Sequence, residues 1–213
     1  MEGVLHKQDG VDSMEENRFR LGGWLAITAA LVFPIMFVTG IVQSVIAGRT
    51  MGYTGPMIGP SDGLGLLFTG LTIYALIVFR RFLHLRYDYK GIDTLITFSI
   101  VWSVIMQVVG LVMEGMMMAV WPVSETVYII ISLSFIGIVM LCIGIVDLLI
   151  GVRLLQAKQE FGELLRVFAF LNLIAGILEM SIILSPLALL LVPVNLVVLG
   201  IILLRDKKDA EFV

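Results

Sequence analysis

Charged residues are scarce in this sequence and cysteine is almost absent, and each shortage excludes a class of protein. Charged residues make up 15% of the 213 positions and hydrophobic residues 59%, whereas soluble domains carry about a quarter charged and about half apolar residues. A soluble globular domain is therefore excluded. The single cysteine, Cys142, allows no intramolecular disulfide, and its place inside an apolar run is typical of a small buried side chain.

Histidine and lysine are missing from the long apolar runs, which excludes several cofactors and reactions. His6 and His84 both lie outside these runs, so neither a bis-histidine haem nor a zinc or Ser-His site can form within them. The lysines lie in tails and connections, which excludes a retinal Schiff base. We therefore predict no enzyme activity and no cofactor. The net charge of -3 and the short basic clusters beside apolar runs argue against nucleic-acid binding.

Apolar runs long enough to cross a bilayer recur along nearly the whole chain. A transmembrane helix needs about 20 apolar residues, and this criterion predicts six crossings, at 21–47, 63–83, 92–119, 124–152, 164–185 and 187–204. The predicted fold class is all-α, a polytopic membrane protein with six transmembrane helices. Its predicted parts are an N-terminal tail, a six-helix domain and a C-terminal tail, at 1–20, 21–204 and 205–213. Ser61 or Asp62 is placed to cap the second helix.

Basic residues fall almost entirely on one side of these crossings. If both termini share a side, 13 of the 14 lysine and arginine residues lie there and only Arg49 lies opposite. Basic residues are retained in the cytoplasm, so the sequence predicts a multi-pass protein of the cell (inner) membrane with both termini cytoplasmic. One basic segment, with Arg80, Arg81, Arg86 and Lys90, is predicted to lie along the anionic inner leaflet; a loop that only sets topology is the alternative.

The three helices predicted to run outward share a pattern near their outer ends. Each places a polar residue three or four positions after a glycine, at 40–43, 110–114 and 176–179. In two of them an amide precedes an acid by seven residues and therefore shares its helix face. These pairs are Gln107 with Glu114 and Asn172 with Glu179. The pattern predicts three related helical hairpins, although glycine is common in membrane helices and chance repetition stays open.

The second hairpin carries the motifs of a family resemblance. A Trp121-Pro122 turn follows an outward helix, and the next helix ends in Gly-Ile-Val-Asp-Leu-Leu-Ile-Gly-Val-Arg-Leu-Leu at 144–155. Over roughly residues 100–204 the chain resembles the HdeD-like short-repeat, six-helix membrane proteins. The resemblance implies a bacterial-type inner-membrane protein connected with stress or acid response, and it carries over no catalytic residue.

Three acidic residues within the predicted crossings are the main candidates for function. Glu114, Asp147 and Glu179 would each cost at least about 2.5 kcal/mol near the centre of a bilayer, so they are expected to face protein or a cavity. Glycine or amide residues share each acid's helix face, which predicts close approach of helices 3, 4 and 5. The leading hypothesis is translocation of protons, cations or a small solute along a polar seam. The predicted lining of the seam is Gln43, Gln107, Glu114, Asp147, Asn172 and Glu179.

The depths of these acids predict which of them meet. Glu114 and Glu179 each lie seven residues before a predicted outer turn, so we expect them to be adjacent and, by mutual repulsion, to exchange a proton near neutral pH. Asp147 is expected about 10 Å deeper. Two alternatives stay open: the acids are structural contacts between helices, or Asp147 pairs with Arg153.

Two other hypotheses compete with translocation. Met113 and Met117 lie on one helical face, and paired thioethers bind Cu(I), although the lack of histidine in the crossings favours a packing role. In the second hypothesis the protein does not transport, but acts as a subunit, scaffold or stress-response factor whose glycine-rich faces bind other helices. A homo-oligomer and a membrane partner subunit both stay open.

Overall fold

The residues that the structure describes form six α-helices. The computed structural model describes the backbone of residues 2–51, 58–119, 125–158, 161–181 and 183–205, and the side chains of residues 14–43, 45–46, 58–115, 127, 130–158, 161–181 and 183–205. The helices are α1 (Glu2–Met51), α2 (Pro60–Tyr87), α3 (Asp93–Ala119), α4 (Glu125–Leu155), α5 (Glu163–Met180) and α6 (Ser185–Leu204). The prediction of an all-α chain with six helices is therefore confirmed.

Within the described residues, five of the helices are long and apolar enough to cross a membrane. The qualifying stretches are Met14–Gln43, Pro60–Tyr87, Asp93–Gly115, Ile130–Leu155 and Ser185–Leu204. The remaining helix, α5, carries Glu163, Arg166 and Glu179 within its 18 residues. These charges lower its apolar character, although its position beside α4 and α6 is that of a full member of the bundle.

The helix ends differ from the predicted crossings at several places; α5, for example, ends at Met180 and not at the predicted residue 185. Residues 2–20, predicted as a tail, form the first part of α1. The Glu15 carboxylate in this part of α1 forms an ion pair of 3.0 Å with Arg81 and so links it to α2. The second helix extends past the predicted residue 83 to Tyr87, so Arg80, Arg81 and Arg86 lie on a helix and only Lys90 lies in the connection to α3.

Each helix packs against its neighbours in the chain, and α6 packs back against α1. The six helices thus form a closed ring in chain order, with an additional contact between α2 and α6. Short connections between consecutive helices make them antiparallel. Among consecutive pairs, α3 and α4 make the smallest contact and α4 and α5 the largest.

Small residues bring the backbones of α1, α2 and α6 close together. A Cβ atom added to Gly23 would lie 2.8 Å from the Gly200 carbonyl oxygen of α6, and one added to Gly22 would lie 2.6 Å from the Val78 side chain of α2. Ala26 and Ala29, about one and two turns further along α1, are fully buried. Close approach of this kind is how helices gain packing energy in a lipid environment.

The two ends of the bundle differ in charge. The end that contains Tyr87 and Glu163, here called the basic end, carries all the basic side chains that the structure describes: Arg18, Arg20, Arg80, Arg81, Arg86, Lys90, Arg153, Lys158, Arg166 and Arg205. The opposite end, here called the far end, contains Pro60 and Met180. Arg49 lies outside the described side chains.

The basic end also holds most of the apolar core. Its largest fully buried side chains include Phe79, Leu83, Ile92 and Ile96. The Tyr89 hydroxyl donates a hydrogen bond of 2.9 Å to the Arg153 carbonyl oxygen near the end of α4. Burial raises the pKa of the Tyr89 phenol, although the Arg153 charge acts in the opposite direction, so the hydroxyl stays a donor at neutral pH.

Candidate functional site

The six residues of the predicted seam lie in two separate groups. Gln43, Gln107 and Glu114 belong to the first group, which joins α1, α2 and α3 toward the far end. Asp147, Asn172 and Glu179 belong to the second, which lies between α4 and α5. We call these groups the far-end cluster and the acid pair.

The Gln43 side chain of α1 ties that helix to the start of α2. The Ser61 hydroxyl donates a hydrogen bond of 2.9 Å to Gln43 Oε1. The N-cap of α2 is Gly59 and not the predicted Ser61 or Asp62; its backbone N–H donates to Asp62 Oδ2 at 2.7 Å, so Asp62, the third residue of the helix, contributes to the cap by reaching back. A Cβ on Gly59 would lie 2.5 Å from the Gln43 amide, so a larger residue at this position would displace the Gln43 side chain.

The cluster continues between α2 and α3. The Thr69 hydroxyl donates a hydrogen bond of 3.2 Å to Gln107 Oε1. Glu114, two turns further along α3 on the same face, has Asp62 as its charged neighbour. Glu114 Oε2 is buried and has no hydrogen-bond partner among the described residues. The far-end cluster therefore contains two carboxyl groups on antiparallel helices.

The acid pair depends on the closest helix contact in the second group. A Cβ on Gly144 of α4 would lie 3.0 Å from the Glu179 Cβ and 3.0 Å from the Gly176 carbonyl oxygen of α5. A Cβ on Gly151 would lie 2.7 Å from the Ala169 carbonyl oxygen. The predicted close approach of a glycine face beside Asp147 is thus confirmed for α4 and α5.

Helix geometry directs the two carboxyl groups toward each other. Side chains tilt toward the N-terminus of their own helix, and α4 and α5 are antiparallel. Asp147 lies about one turn to the basic side of Glu179, so its side chain leans toward the far end while Glu179 leans toward the basic end. Asp147 is accordingly the charged neighbour of Glu179.

Glu179 is among the most enclosed polar side chains that the structure describes. Its residue is 5% exposed, and its Oε2 atom is buried without a hydrogen-bond partner among the described residues. Asn172, which is 4% exposed, satisfies its amide by donating a hydrogen bond of 2.7 Å to the Phe168 carbonyl oxygen of its own helix. Because Asn172 precedes Glu179 by seven residues, it lies on the same face of α5.

The expected meeting of Glu114 with Glu179 is replaced by two different pairings. Glu114 faces Asp62 of α2, and Glu179 faces Asp147 of α4. The reason is the ring order, in which α3 packs mainly against α2 whereas α5 packs mainly against α4. Sequence reasoning placed Asp62 in a capping role only and so did not identify it as a partner for Glu114.

The basic segment is held by ion pairs and ring contacts. Arg80 contacts Asp93 at 3.2 Å, and His84 Nε2 lies 2.7 Å from the other Asp93 oxygen. The Arg86 guanidinium lies over the Phe82 ring at 5.8 Å. A groove of about 420 Å³ adjoins this segment and is lined by Arg80, Asp93, Thr94, Thr97, Phe98 and Val101.

In the described part of the chain, no group of three or more histidine, cysteine, aspartate or glutamate side chains is arranged to hold a metal ion. Of the two methionines considered for copper, Met113 is partly buried, and Met117 lies outside the described side chains. Comparison of the chain with protein-family models, curated proteins and solved structures finds no match.

Proposed function

We propose that the chain is an integral membrane protein that crosses the cell membrane six times, with both termini in the cytoplasm. Five helices are apolar and long enough. The remaining helix, α5, is about 27 Å long with its 18 residues. It contacts α4 at Gly144, nearer the far end of the bundle, and at Gly151, nearer the basic end. The concentration of basic side chains at one end supports placing that end in the cytoplasm.

Anionic lipids are the proposed partners of the basic end. Arg86 and Lys90 lie near the end of α2, beside the exposed side chain of Leu85. Such a mixture suits the boundary between headgroups and acyl chains, where each basic residue gains about 1 kcal/mol from an anionic leaflet. Arg80 and Arg81 lie on the same part of α2 but are engaged by Asp93 and Glu15.

The proposed function is translocation of protons or a small cation, with Asp147 and Glu179 as the binding groups. The observation that carries this proposal is the convergence of two carboxyl groups between α4 and α5, one of them almost fully buried and without a partner for Oε2 among the described residues. Two adjacent carboxylates repel each other, and the lowest-energy arrangement binds a proton or cation between them. Releasing and rebinding that ion is the elementary step of translocation.

Neutralising both acids is expected to abolish flux. We expect protein reconstituted in liposomes to dissipate an imposed proton or sodium gradient, and the Asp147→Asn/Glu179→Gln variant to leak no faster than empty liposomes. Glu163→Gln, on the exposed first turn of the same helix, is the matched control and should retain full flux. Undiminished flux through the double variant would contradict the assignment of these residues, and absence of flux in the unmodified protein would contradict translocation itself.

A second candidate function is that of a non-transporting membrane subunit or stress-response scaffold. Several glycines have no atom of the described residues within 4 Å of an added Cβ: Gly63, Gly70, Gly110, Gly115 and Gly137. Glycines that are not used within the bundle leave room for helices of another chain. Copurification of a stoichiometric membrane partner, together with absence of flux, would favour this function and the acid-resistance role that the family resemblance suggests.

A further inference from the structure

Several buried polar atoms have no hydrogen-bond partner among the described residues. Three of them are Thr72 Oγ1 on α2, Trp102 Nε1 on α3 and Asn195 Oδ1 on α6. Buried polar atoms are rarely left unpaired, and ordered water satisfies most of those that lack a protein partner. Neither the far-end cluster nor the acid pair includes these three residues.

The helix contacts place these three residues at nearly the same depth. Val78 of α2 and Gly200 of α6 both contact the Gly22-Gly23 pair of α1. Thr72 and Asn195 lie six and five residues toward the far end from those contacts, so both are roughly 8–9 Å from that level. The Thr69 to Gln107 hydrogen bond fixes the register of α3 and puts Trp102 within about 3 Å of Thr72 in depth.

Thr72 and Asn195 also lie on the inward faces of their helices. Thr72 precedes the fully buried Ala75 by three residues and Phe79 by seven, and Asn195 precedes the buried Leu199 by four. The α2 and α6 helices contact each other, so these two faces adjoin. Toward the far end, polar side chains continue through Thr69 and Gln107 to the Asp62 and Glu114 carboxyl groups.

Toward the basic end the same faces are entirely apolar. The Phe79 ring of α2 packs edge-on against the Phe168 ring of α5, with 5.2 Å between ring centroids. Leu165, Leu199 and Leu203 are each at most 3% exposed. Such a closely packed apolar layer has no room and no polar partners for water.

We propose that the interior of the ring is an aqueous half-channel. Water fills it from the far end as far as Thr72, Trp102 and Asn195, and the Phe79–Phe168 contact closes it toward the basic end. Asp147 lies within about one turn of this depth, because the Phe79–Phe168 contact aligns α2 with α5 and the contact of Gly151 with Ala169 and Leu173 aligns α4 with α5. The half-channel rests on the proposed function in one respect: it would supply protons or cations to the acid pair from one side only.

Accessibility of engineered thiols tests the half-channel. In a Cys142→Ser background, Thr72→Cys and Asn195→Cys are each treated with a charged, membrane-impermeant methanethiosulfonate reagent from either face of sealed vesicles. Ser61→Cys marks the far face. We expect both interior thiols to react from the far face and not from the basic face. In Phe79→Ala, or in Phe168→Ala if the former does not purify as a monodisperse protein, both should react from either face.

Two control positions distinguish access to water from exposure to lipid and from burial in the apolar layer. Leu199→Cys, one turn beyond Asn195 on the same face of α6, should stay unreactive from both faces. Ile77 is 49% exposed and lies on the outer surface of α2. Ile77→Cys should stay unreactive because lipid keeps a thiol protonated. Unreactive thiols at Thr72 and Asn195, or reaction from the basic face with Phe79 intact, would overturn the proposal. Because the readout is water access, labelling from the far face in a protein without flux would reject translocation and leave the half-channel standing.

Discussion

Replacing Gly176 with alanine is expected to lower the free energy of unfolding by about 1–3 kcal/mol, the usual cost of forcing extra atoms into a close-packed interface. The added Cβ would lie 2.5 Å from the Leu148 backbone nitrogen and 2.6 Å from the Gly144 carbonyl oxygen. Backbone atoms cannot turn aside as a flexible side chain can, so α4 and α5 must separate. The separation would also move the Asp147 and Glu179 carboxyl groups apart.

The thermal unfolding midpoint in detergent, followed by circular dichroism, measures this effect. Gly137→Ala on α4 is the matched control, because an added Cβ there has no atom of the described residues within 4 Å. Alanine also favours a helix over glycine by up to about 1 kcal/mol, so the control is expected to be unchanged or slightly more stable. Equal midpoints for the two variants would show that α4 and α5 do not pack through their glycines.

The second large effect concerns the side of the membrane on which the chain ends. If α5 crosses the bilayer, reporters of cytoplasmic location fused to the N-terminal and C-terminal ends should both be active. If α5 does not cross, the C-terminal reporter should be inactive, because five crossings put the two ends on opposite sides. The expected result is all or none. It depends on α5, the helix whose charged residues make a membrane crossing least evident from its composition.

A reporter inserted after Ala157 is the control for this measurement. That position follows α4 and should be cytoplasmic whether or not α5 crosses. A reporter inserted after Ile58, before α2, should be inactive in both cases. An active N-terminal reporter with an inactive C-terminal reporter would contradict the six-crossing topology and would leave α5 at the cytoplasmic surface.

Much of the fold follows from local features of the sequence. Apolar run length gives the six helices, since a helix long enough to span a bilayer needs a long unbroken run. The basic residues cluster beside the helix ends that meet at one end of the bundle. The sequence predicts that Asp62 takes part in capping α2, although the N-cap itself is Gly59, and the close approach at Gly144 follows from the helical spacing of small residues around Asp147.

The pairing of the acids was not predictable in the same way. Depth along a helix can be counted from the sequence, but the neighbouring helix depends on how the whole ring closes. Depth alone therefore pairs Glu114 with Glu179, whereas the order of helices in the ring places Glu114 beside Asp62. Gly110 shows the same limit: its spacing suggested a contact face, yet no atom of the described residues lies within 4 Å of a Cβ there.

Infrared spectroscopy at neutral pH tests most directly whether Asp147 and Glu179 hold a proton between them. The unmodified protein is predicted to show the carbonyl stretch of a protonated carboxylic acid, and the Asp147→Asn/Glu179→Gln variant is predicted to lose intensity in that band. Glu163→Gln should leave the band unchanged. A band of equal intensity in the unmodified protein and the double variant would contradict a shared proton between α4 and α5.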